Sequence, residues 1–156
     1  MIEIRRARPE DFAAVADVLS AAYAPFVRGD HGYMAELRDT ARRAAEAEVL
    51  VAVQERVLGT VTFVPEGGPL AELSTPAETE FRMLGVAPDA GGRGIGTALM
   101  RHIVEASRGR EAIVCSSRSA MTTAHRLYER LGFTRVPERD WSPVEGVDLL
   151  AFALRF

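Results

Sequence analysis

The stretch Val86–Met100, VAPDAGGRGIGTALM, carries four glycines between positions 91 and 96 and then apolar residues at helical spacing. Glycine is the costliest residue to order, so four of them at the start of a helix call for a reason. The first amide N–H groups of a helix lack partners within it, and the helix dipole adds partial positive charge there. Because glycines carry no side chains, an anion can reach these amides. The stretch therefore predicts a phosphate site between a strand and a helix.

Three phosphate-binding patterns compete for this loop. Gly91 and Gly96 have the spacing of a Walker A loop, but Thr97 stands where its lysine belongs. A Rossmann fingerprint needs a third glycine at that same position, and it opens the first βα unit of a parallel sheet. The third candidate is the pyrophosphate loop of acetyl-coenzyme A enzymes. A tight turn that uses glycine only for its geometry is the alternative without a ligand.

The composition is that of a globular protein. The chain has 156 residues, of which 47% are hydrophobic and 26% charged, enough for one domain with a core, residues 1–156. The net charge of −3 argues against a nucleic-acid partner. No apolar run reaches the ~20 residues of a membrane span, and the N-terminal MIEIRRARPEDF lacks the core of a signal peptide. Since Cys115 is the only cysteine, we expect a cytoplasmic protein without disulfides or a membrane partner.

The sequence lacks the residues that several kinds of catalytic site require. The chain has no lysine, so all 19 basic residues are arginines and a Schiff base is excluded. His31, His102 and His125 form no H-x-x-x-H pair, and we expect no metal site. His125 is interpreted as a surface or interface residue. Cys115 lies in the apolar segment AIVCSS and is interpreted as a core residue rather than a nucleophile.

Apolar periodicity and turn residues predict the order β-α-α-β-β-β-α-β-α-β-β, a mixed α/β domain. Pro25, Gly29 and Gly32 predict a loop after the first helix. The predicted helices run from Pro9 to Tyr23, Tyr33 to Ala47, Gly94 to Arg108 and Met121 to Leu131. The predicted strands are Ile2–Ala7, Val49–Val53, Val57–Val64, Ala77–Pro88, Ala112–Ser117, Phe133–Val136 and Val147–Leu154.

Two segments together resemble a known family. The segment Glu80–Met100 resembles the central motif of the GNAT superfamily of N-acetyltransferases, a strand ending in L-x-V-x-P followed by [QR]-x-x-G-x-G and a helix. The segment Ala124–Phe133, AHRLYERLGF, resembles the second motif of that family, A-x-x-L-Y-x-x-x-G-F. The positions that match the central motif are Leu84, Val86, Pro88, Gly94 and Gly96. Both motifs stand in the expected order, and the predicted elements fit the family over the whole chain.

The chain departs from the family pattern at two positions. Gly91 occupies the place of the glutamine or arginine, although Arg93 supplies a nearby cation. Met121 stands where many members have an asparagine that contacts the cofactor. These departures concern individual contacts and not the class of cofactor.

The resemblance implies a fold and an activity. The fold is a mixed α/β domain with a central, mostly antiparallel sheet, splayed after the fourth strand and flanked by about four helices. The activity is that of an acyl-CoA-dependent N-acyltransferase, which moves an acetyl group from acetyl-CoA to a primary amine by direct attack in a ternary complex. The acceptor is a small-molecule or peptide amine, and family members often form homodimers. The alternatives are a non-catalytic acyl-CoA-binding sensor and a nucleotide-binding protein, the latter disfavoured by the missing Walker lysine.

The resemblance also implies where acetyl-CoA binds. Amide groups of the glycine loop hold the pyrophosphate, and the end of the preceding strand pairs with the pantetheine arm like an added strand. Gly85 has no side chain to block that arm. The implied cofactor-binding residues are Leu84, Gly85, Val86, Gly92, Arg93, Gly94, Ile95, Gly96 and Thr97.

Two catalytic residues follow from the same resemblance. Tyr128 is the implied general acid, because a phenol of pKa ~10 can protonate a leaving alkyl thiolate. Glu80 is the first choice of general base, and a chain of water molecules is the alternative. Strand alternation would place Glu80, Arg82, Leu84 and Val86 on one face. Aromatic and charged residues of two loops, Tyr23–Met34 and Val136–Val147, are expected to select the acceptor.

Overall fold

The computed structural model describes residues 1–156, which form seven strands and five helices. The strands are β1 (Glu3–Arg6), β2 (Glu48–Gln54), β3 (Arg56–Val64), β4 (Glu78–Val86), β5 (Ala112–Arg118), β6 (Thr134–Arg135) and β7 (Leu149–Arg155). The helices are α1 (Phe12–Val27), α2 (His31–Arg38), α3 (Thr40–Glu46), α4 (Ile95–Ser107) and α5 (Thr122–Arg130). None of the helices combines the length and the apolar character needed to span a lipid bilayer.

All seven strands belong to one sheet of order β1-β2-β3-β4-β5-β7-β6. Every neighbouring pair is antiparallel except β4 and β5, which are parallel. That parallel pair is short, because only Glu78–Glu80 pairs with Ala112–Val114 before the strands diverge. The predicted mixed fold and the predicted splay after the fourth strand are therefore confirmed.

A bulge changes the direction of β4 at the point where it leaves β5. Thr60 stands opposite Gly85 and Thr62 opposite Arg82, so β4 has one residue more than β3 in this interval. Met83 adopts a φ of 53°, which is uncommon for a residue with a side chain and typical of such an irregularity. The simple alternation expected for β4 is therefore wrong beyond Arg82, because an extra residue exchanges the faces of the residues that follow it.

Helices cover both faces of the sheet, and two glycines let them approach closely. A Cβ at Gly85 would meet side chains of α1, whereas a Cβ at Gly59 of β3 would meet side chains of α4. Gly85 and Gly59 lie at neighbouring positions of paired strands, where side chains point to opposite sides of the sheet. Helices α1 and α4 therefore lie on opposite faces of the sheet. A core of 28 buried residues joins the sheet to the helices.

The helices differ from the sequence prediction at two places. Helix α1 continues through Pro25 to Val27, where the sequence predicted a loop. The predicted helix from Tyr33 to Ala47 is two helices, separated at Asp39, which has a φ of −89° and a ψ of 63°. The Asp39 side chain accepts a hydrogen bond from the amide of Arg42, so it caps the second of them.

Candidate active site

The glycine loop forms a row of unpaired amides at the start of α4. Gly94 precedes the helix with a φ of 75°, and the first bond of the helix runs from the Ala98 amide to the Gly94 carbonyl, 3.0 Å. The amides of residues 92–97 donate to no other group of the protein. Positive φ at Gly92 and Gly94 turns the backbone, and a Cβ at either position would have no atom within 4 Å. This open row of donors fits a phosphate or pyrophosphate.

The other loop residues have different surroundings. Gly91 has an ordinary φ of −63°, so it does not need to be glycine for its conformation. Arg93 is exposed and donates to the side chain of Gln54, at the end of β2. A Cβ at Gly96 would lie 3.2 Å from Leu127 Cδ2, which means that this glycine admits the neighbouring helix α5.

The edge of β4 that faces β5 has no strand beside it after Glu80. Leu84, Gly85 and Val86 lie on this unpaired part, as expected for positions that could pair with an extended ligand. The position that a side chain of Gly85 would occupy faces α1 and not this edge, because an added Cβ would lie 2.9 Å from Leu19 Cδ2 and 3.4 Å from Ala22 Cβ. The reason expected for this glycine is therefore wrong, since its missing side chain makes room for α1.

A cavity of about 320 Å³ opens where β4 and β5 diverge. Its walls come from α1, α2, the loop before β4, both diverging strands, α5 and the loop before β7. Among the implied cofactor residues, Leu84 contributes to the wall. A cavity with apolar walls and a few polar groups is the usual form of a small-molecule site.

Tyr128 lines this cavity from α5 and is only 4% exposed. Its ring packs against Phe81, Phe133 and Phe152, with centroid distances of 5.5, 5.9 and 5.4 Å. Burial raises the pKa of the Tyr128 phenol well above its usual value. The hydroxyl therefore stays protonated at neutral pH and can act as a donor.

Glu80 does not line the cavity and is completely buried. Its Oε1 accepts hydrogen bonds from the backbone amides of Glu72, Leu73 and Ser74 at 3.1, 3.1 and 3.0 Å, and Oε2 lies 3.3 Å from the first of these amides. A carboxylate held in this way fastens the loop before β4 to the sheet. This geometry does not support Glu80 as the general base.

Comparison with known proteins supplies the family. The model of the Acetyltransferase (GNAT) family matches residues 12–133. The chain belongs to this family. No curated protein sequence matches the chain at a significant level.

Solved structures agree with this assignment to the GNAT family. A GNAT-family acetyltransferase from Brucella melitensis in complex with acetyl-CoA is 26% identical, with a TM-score of 0.64, over 100% of this chain and 91% of that one. A GNAT-family acetyltransferase from Desulfovibrio desulfuricans has 21% identity and a TM-score of 0.74 over 99% of both chains. The ribosomal-protein-S18-alanine N-acetyltransferase from Escherichia coli has 20% identity and a TM-score of 0.71 over 99% of this chain and 94% of that one. The last two share the fold.

Membership of the GNAT family confirms the predicted enzyme class, an acyl-CoA-dependent N-acyltransferase, and its cosubstrate, acetyl-CoA. The open amides of the glycine loop and the unpaired edge of β4 fit the pyrophosphate and the extended arm of that molecule. No group of three or more His, Cys, Asp or Glu side chains is arranged to hold a metal ion.

The two segments predicted to select the acceptor, Tyr23–Met34 and Val136–Val147, both reach the cavity of this GNAT protein. From the first segment, Tyr23 lines the cavity from α1, Asp30 from the cap of α2 and Tyr33 from α2 itself, while Pro143, Val144 and Val147 come from the second. Other residues of the second loop have structural contacts instead. Arg139 binds both carboxylate oxygens of Glu78 at 2.9 and 3.0 Å, and Trp141 pairs with Leu149 through the backbone.

Four charged residues of the cavity wall were missed by the sequence analysis, Glu36, Glu72, Arg82 and Arg118. Arg118 lies 3.2 Å from an Asp30 oxygen and packs over the Tyr33 ring at 4.9 Å. Arg82 Nε lies 3.1 Å from a Glu72 oxygen. The two arginines could have been identified from the sequence, because each is a charged residue in or next to a predicted apolar strand. No sequence pattern marks the two glutamates.

His125 lies inside the protein and not on its surface, contrary to the prediction. It is 9% exposed, its ring packs 4.9 Å from that of Phe152, and its Nε2 lies 3.1 Å from the Ser117 hydroxyl oxygen. Burial lowers the pKa of His125, so the imidazole is neutral at pH 7. Ser117 lines the cavity, so His125 lies directly behind a residue of the cavity wall and contacts it.

Proposed function

We propose that residues 1–156 act as a single N-acetyltransferase domain that moves an acetyl group from acetyl-CoA to a primary amine by direct attack in a ternary complex. The observation that carries this proposal is the cavity between β4 and β5. Tyr128, whose phenol is protonated, lines this cavity together with Leu84 of the unpaired part of β4. Family membership supplies the cosubstrate, and a cavity of about 320 Å³ is of the size that holds a small molecule.

The binding of acetyl-CoA is assigned to two parts of the chain. The amides of residues 92–97 would hold the pyrophosphate, and the backbone of residues 84–86 would pair with the pantetheine arm. Acetyl-CoA supplies a thioester whose carbonyl carbon accepts the amine. The helix dipole of α4 adds to the attraction for the pyrophosphate.

Tyr128 is the proposed general acid. Its phenol is protonated because burial opposes the charged phenolate. Three aromatic rings hold the side chain in place, and Tyr128 lines the cavity with little conformational freedom. A positioned donor of this kind contributes typically ~10²-fold or more to the rate of proton transfer to a leaving group.

Direct transfer is supported by the surroundings of Cys115. This thiol is 1% exposed and does not line the cavity. Burial raises its pKa well above the usual value, which removes the thiolate that an acyl-enzyme would need. We also propose a cytoplasmic location, because the chain has one cysteine and no disulfide within it.

An amine acceptor is supported by the charges of the cavity. Three carboxylates, those of Asp30, Glu36 and Glu72, and two guanidinium groups, those of Arg82 and Arg118, line it. This balance favours a cationic group such as an ammonium. The structural neighbour from E. coli acetylates a protein alanine, so a peptide amine remains a candidate beside a small molecule. A homodimer remains an expectation from the family.

Calorimetry with the purified protein tests the cosubstrate, and thiol release tests the reaction. We expect micromolar binding of acetyl-CoA, weaker binding of CoA and no binding of ATP. A panel of small amines, amino acids and peptides would then be screened for release of the CoA thiol. Absence of acetyl-CoA binding would overturn the proposal. Binding without transfer to any amine would favour the alternative, a non-catalytic acyl-CoA sensor.

A further inference from the structure

The buried carboxylate of Glu80 has a consequence for another glutamate. Two of its bonds reach the amide of Glu72, so the backbone at this residue is fastened to β4. The next two amides are held by the same carboxylate. A loop residue that would otherwise have many orientations is therefore held at one edge of the cavity.

The side chain of Glu72 lines the cavity and is 28% exposed. One of its oxygens lies 3.1 Å from Arg82 Nε, and this arginine is also held by the Leu70 carbonyl at 3.3 Å. Glu80 thus fixes the backbone of Glu72, and Arg82 orients the carboxylate of Glu72. It remains reachable from the cavity that also contains Tyr128.

The other two carboxylates of the cavity are less suited to accept a proton. Asp30 caps α2 by accepting a hydrogen bond from the Tyr33 amide at 3.0 Å, and it pairs with Arg118. These contacts lower the pKa of Asp30. Glu36 has a side chain that is 53% exposed, and its nearest partner, Arg82, lies 4.0 Å away, so nothing orients its carboxylate.

We propose that Glu72 is the general base of the acetyl transfer and that Glu80 is a positioning residue that holds it. The inference rests on the proposed function, because it requires an amine acceptor in the cavity. It assigns the base to the loop before β4 rather than to the strand itself. Glu80, which the sequence predicted to be the base, acts by holding Glu72.

The protons of the step balance as follows. Glu72 takes one proton from the ammonium of the acceptor, and the freed lone pair forms a bond to the thioester carbon. The C–S bond breaks, the sulfur leaves with its electron pair, and Tyr128 gives this sulfur a proton. The second proton of the nitrogen restores the Tyr128 phenol, and Glu72 releases its proton to solvent. One proton is released in total, and an amide and a free thiol are formed.

The charged groups around Glu72 suit this role. Burial raises its pKa, the negative charges of Glu80 and Glu36 raise it further, and the Arg82 guanidinium opposes them. Tyr33 of α2 also faces this group. A carboxylate with a raised pKa is a stronger base.

The test compares Glu72→Gln with Glu66→Gln, an exposed glutamate of the same loop outside the cavity. We expect kcat/KM for the amine to fall by ~10²-fold at pH 7 in Glu72→Gln, with acetyl-CoA affinity unchanged. The difference should shrink as the pH rises, because the amine then arrives without its extra proton. Glu66→Gln should behave like the wild-type protein. Equal pH profiles for wild-type and Glu72→Gln would overturn the proposal.

Glu80→Gln separates positioning from folding. Removing its negative charge should lower the pKa of Glu72, so the acidic limb of the kcat/KM profile moves to lower pH. The glutamine keeps one acceptor oxygen but carries no charge, so its bonds to the loop amides should weaken and kcat should fall as well. A variant that only loses thermal stability, with the profile of the wild-type enzyme below its melting temperature, would contradict the positioning role.

The experiments distinguish a wrong assignment of the general base from a wrong proposed function. If the wild-type protein transfers acetyl groups to amines but Glu72→Gln has an unchanged pH profile, only the base assignment is wrong. If the wild-type protein transfers acetyl groups to no amine in the panel, the proposed function itself is wrong.

Discussion

A Cβ at Gly59 would lie 2.6 Å from Cγ2 of Ile95, the first residue of α4. It would also lie 3.1 Å from Leu99 Cδ1 and 3.2 Å from the Gly85 carbonyl oxygen. The bare backbone of β3 thus sets how closely the start of α4 approaches the sheet. Because the unpaired amides of the glycine loop begin at this helix end, the packing of Gly59 positions the proposed pyrophosphate site.

Gly59→Ala is expected to destabilise the protein by about 1–3 kcal/mol, the usual cost of overpacking a filled core. It should also weaken acetyl-CoA binding, because α4 must move away from β3. Urea unfolding and calorimetry would measure the two effects. Gly91→Ala is the control, since this glycine has an ordinary φ and its Cβ would have no atom closer than 3.7 Å.

Gly94→Val should weaken acetyl-CoA binding more than Gly91→Val does. Gly94 has a φ of 75°, which a β-branched residue adopts only with strain, and its missing side chain leaves the amides open. Calorimetric titration of both variants is the measurement. Equal affinities for acetyl-CoA in the two proteins would count against the glycine loop as the pyrophosphate site.

Tyr128→Phe should lower kcat by ~10²-fold or more while leaving acetyl-CoA affinity nearly unchanged. The aromatic packing survives this change, so the variant should fold like the wild-type protein. Tyr23→Phe, which removes another hydroxyl from the cavity wall, serves for comparison and should lose less activity. Turnover of Tyr128→Phe at the wild-type rate would remove the phenol from the acid role.

Arg139→Met should destabilise the protein by about 3 kcal/mol at pH 7, because it leaves the buried Glu78 carboxylate without its cation. An exposed pair, Arg56 with Asp89, gives the control, and Arg56→Met should cost less than about 1 kcal/mol. Urea unfolding of both variants and the wild-type protein measures these costs. Similar values for the two variants would show that the buried pair is not stabilising.

The cost of Arg139→Met should depend on pH in a defined direction. Burial alone would raise the pKa of Glu78, but the hydrogen bonds from Arg139 and Thr75 lower it overall. A lowered pKa means that the pair stabilises the fold fully above the unfolded pKa of about 4.3 and that this stability is lost as the pH falls further. The difference between Arg139→Met and wild-type should therefore shrink below pH 4.

Local patterns were sufficient for most of the fold. The apolar segments Val49–Val53 and Val57–Val64 with the turn residues between them predict a hairpin, and the structure has one with a single residue, Glu55, between the strands. Pro25 misled the prediction, because helix α1 tolerates this residue in its last turn. The break at Asp39 was missed, since the side-chain cap that starts the second helix leaves no mark in the apolar periodicity.

The sequence by itself determined the family, the cosubstrate and the loop that would hold it. Those features lie in contiguous segments, in which glycine spacing and helix start are local properties of the chain. Only the tertiary structure decided which polar groups meet in the cavity. The bulge at Met83 places Arg82, Met83 and Leu84 together at its wall, and hydrogen bonds tie Glu80 to the loop just before its own strand. These contacts, and the pairing of Asp30 with Arg118 across the cavity, depend on register and on packing between segments that no local pattern relates.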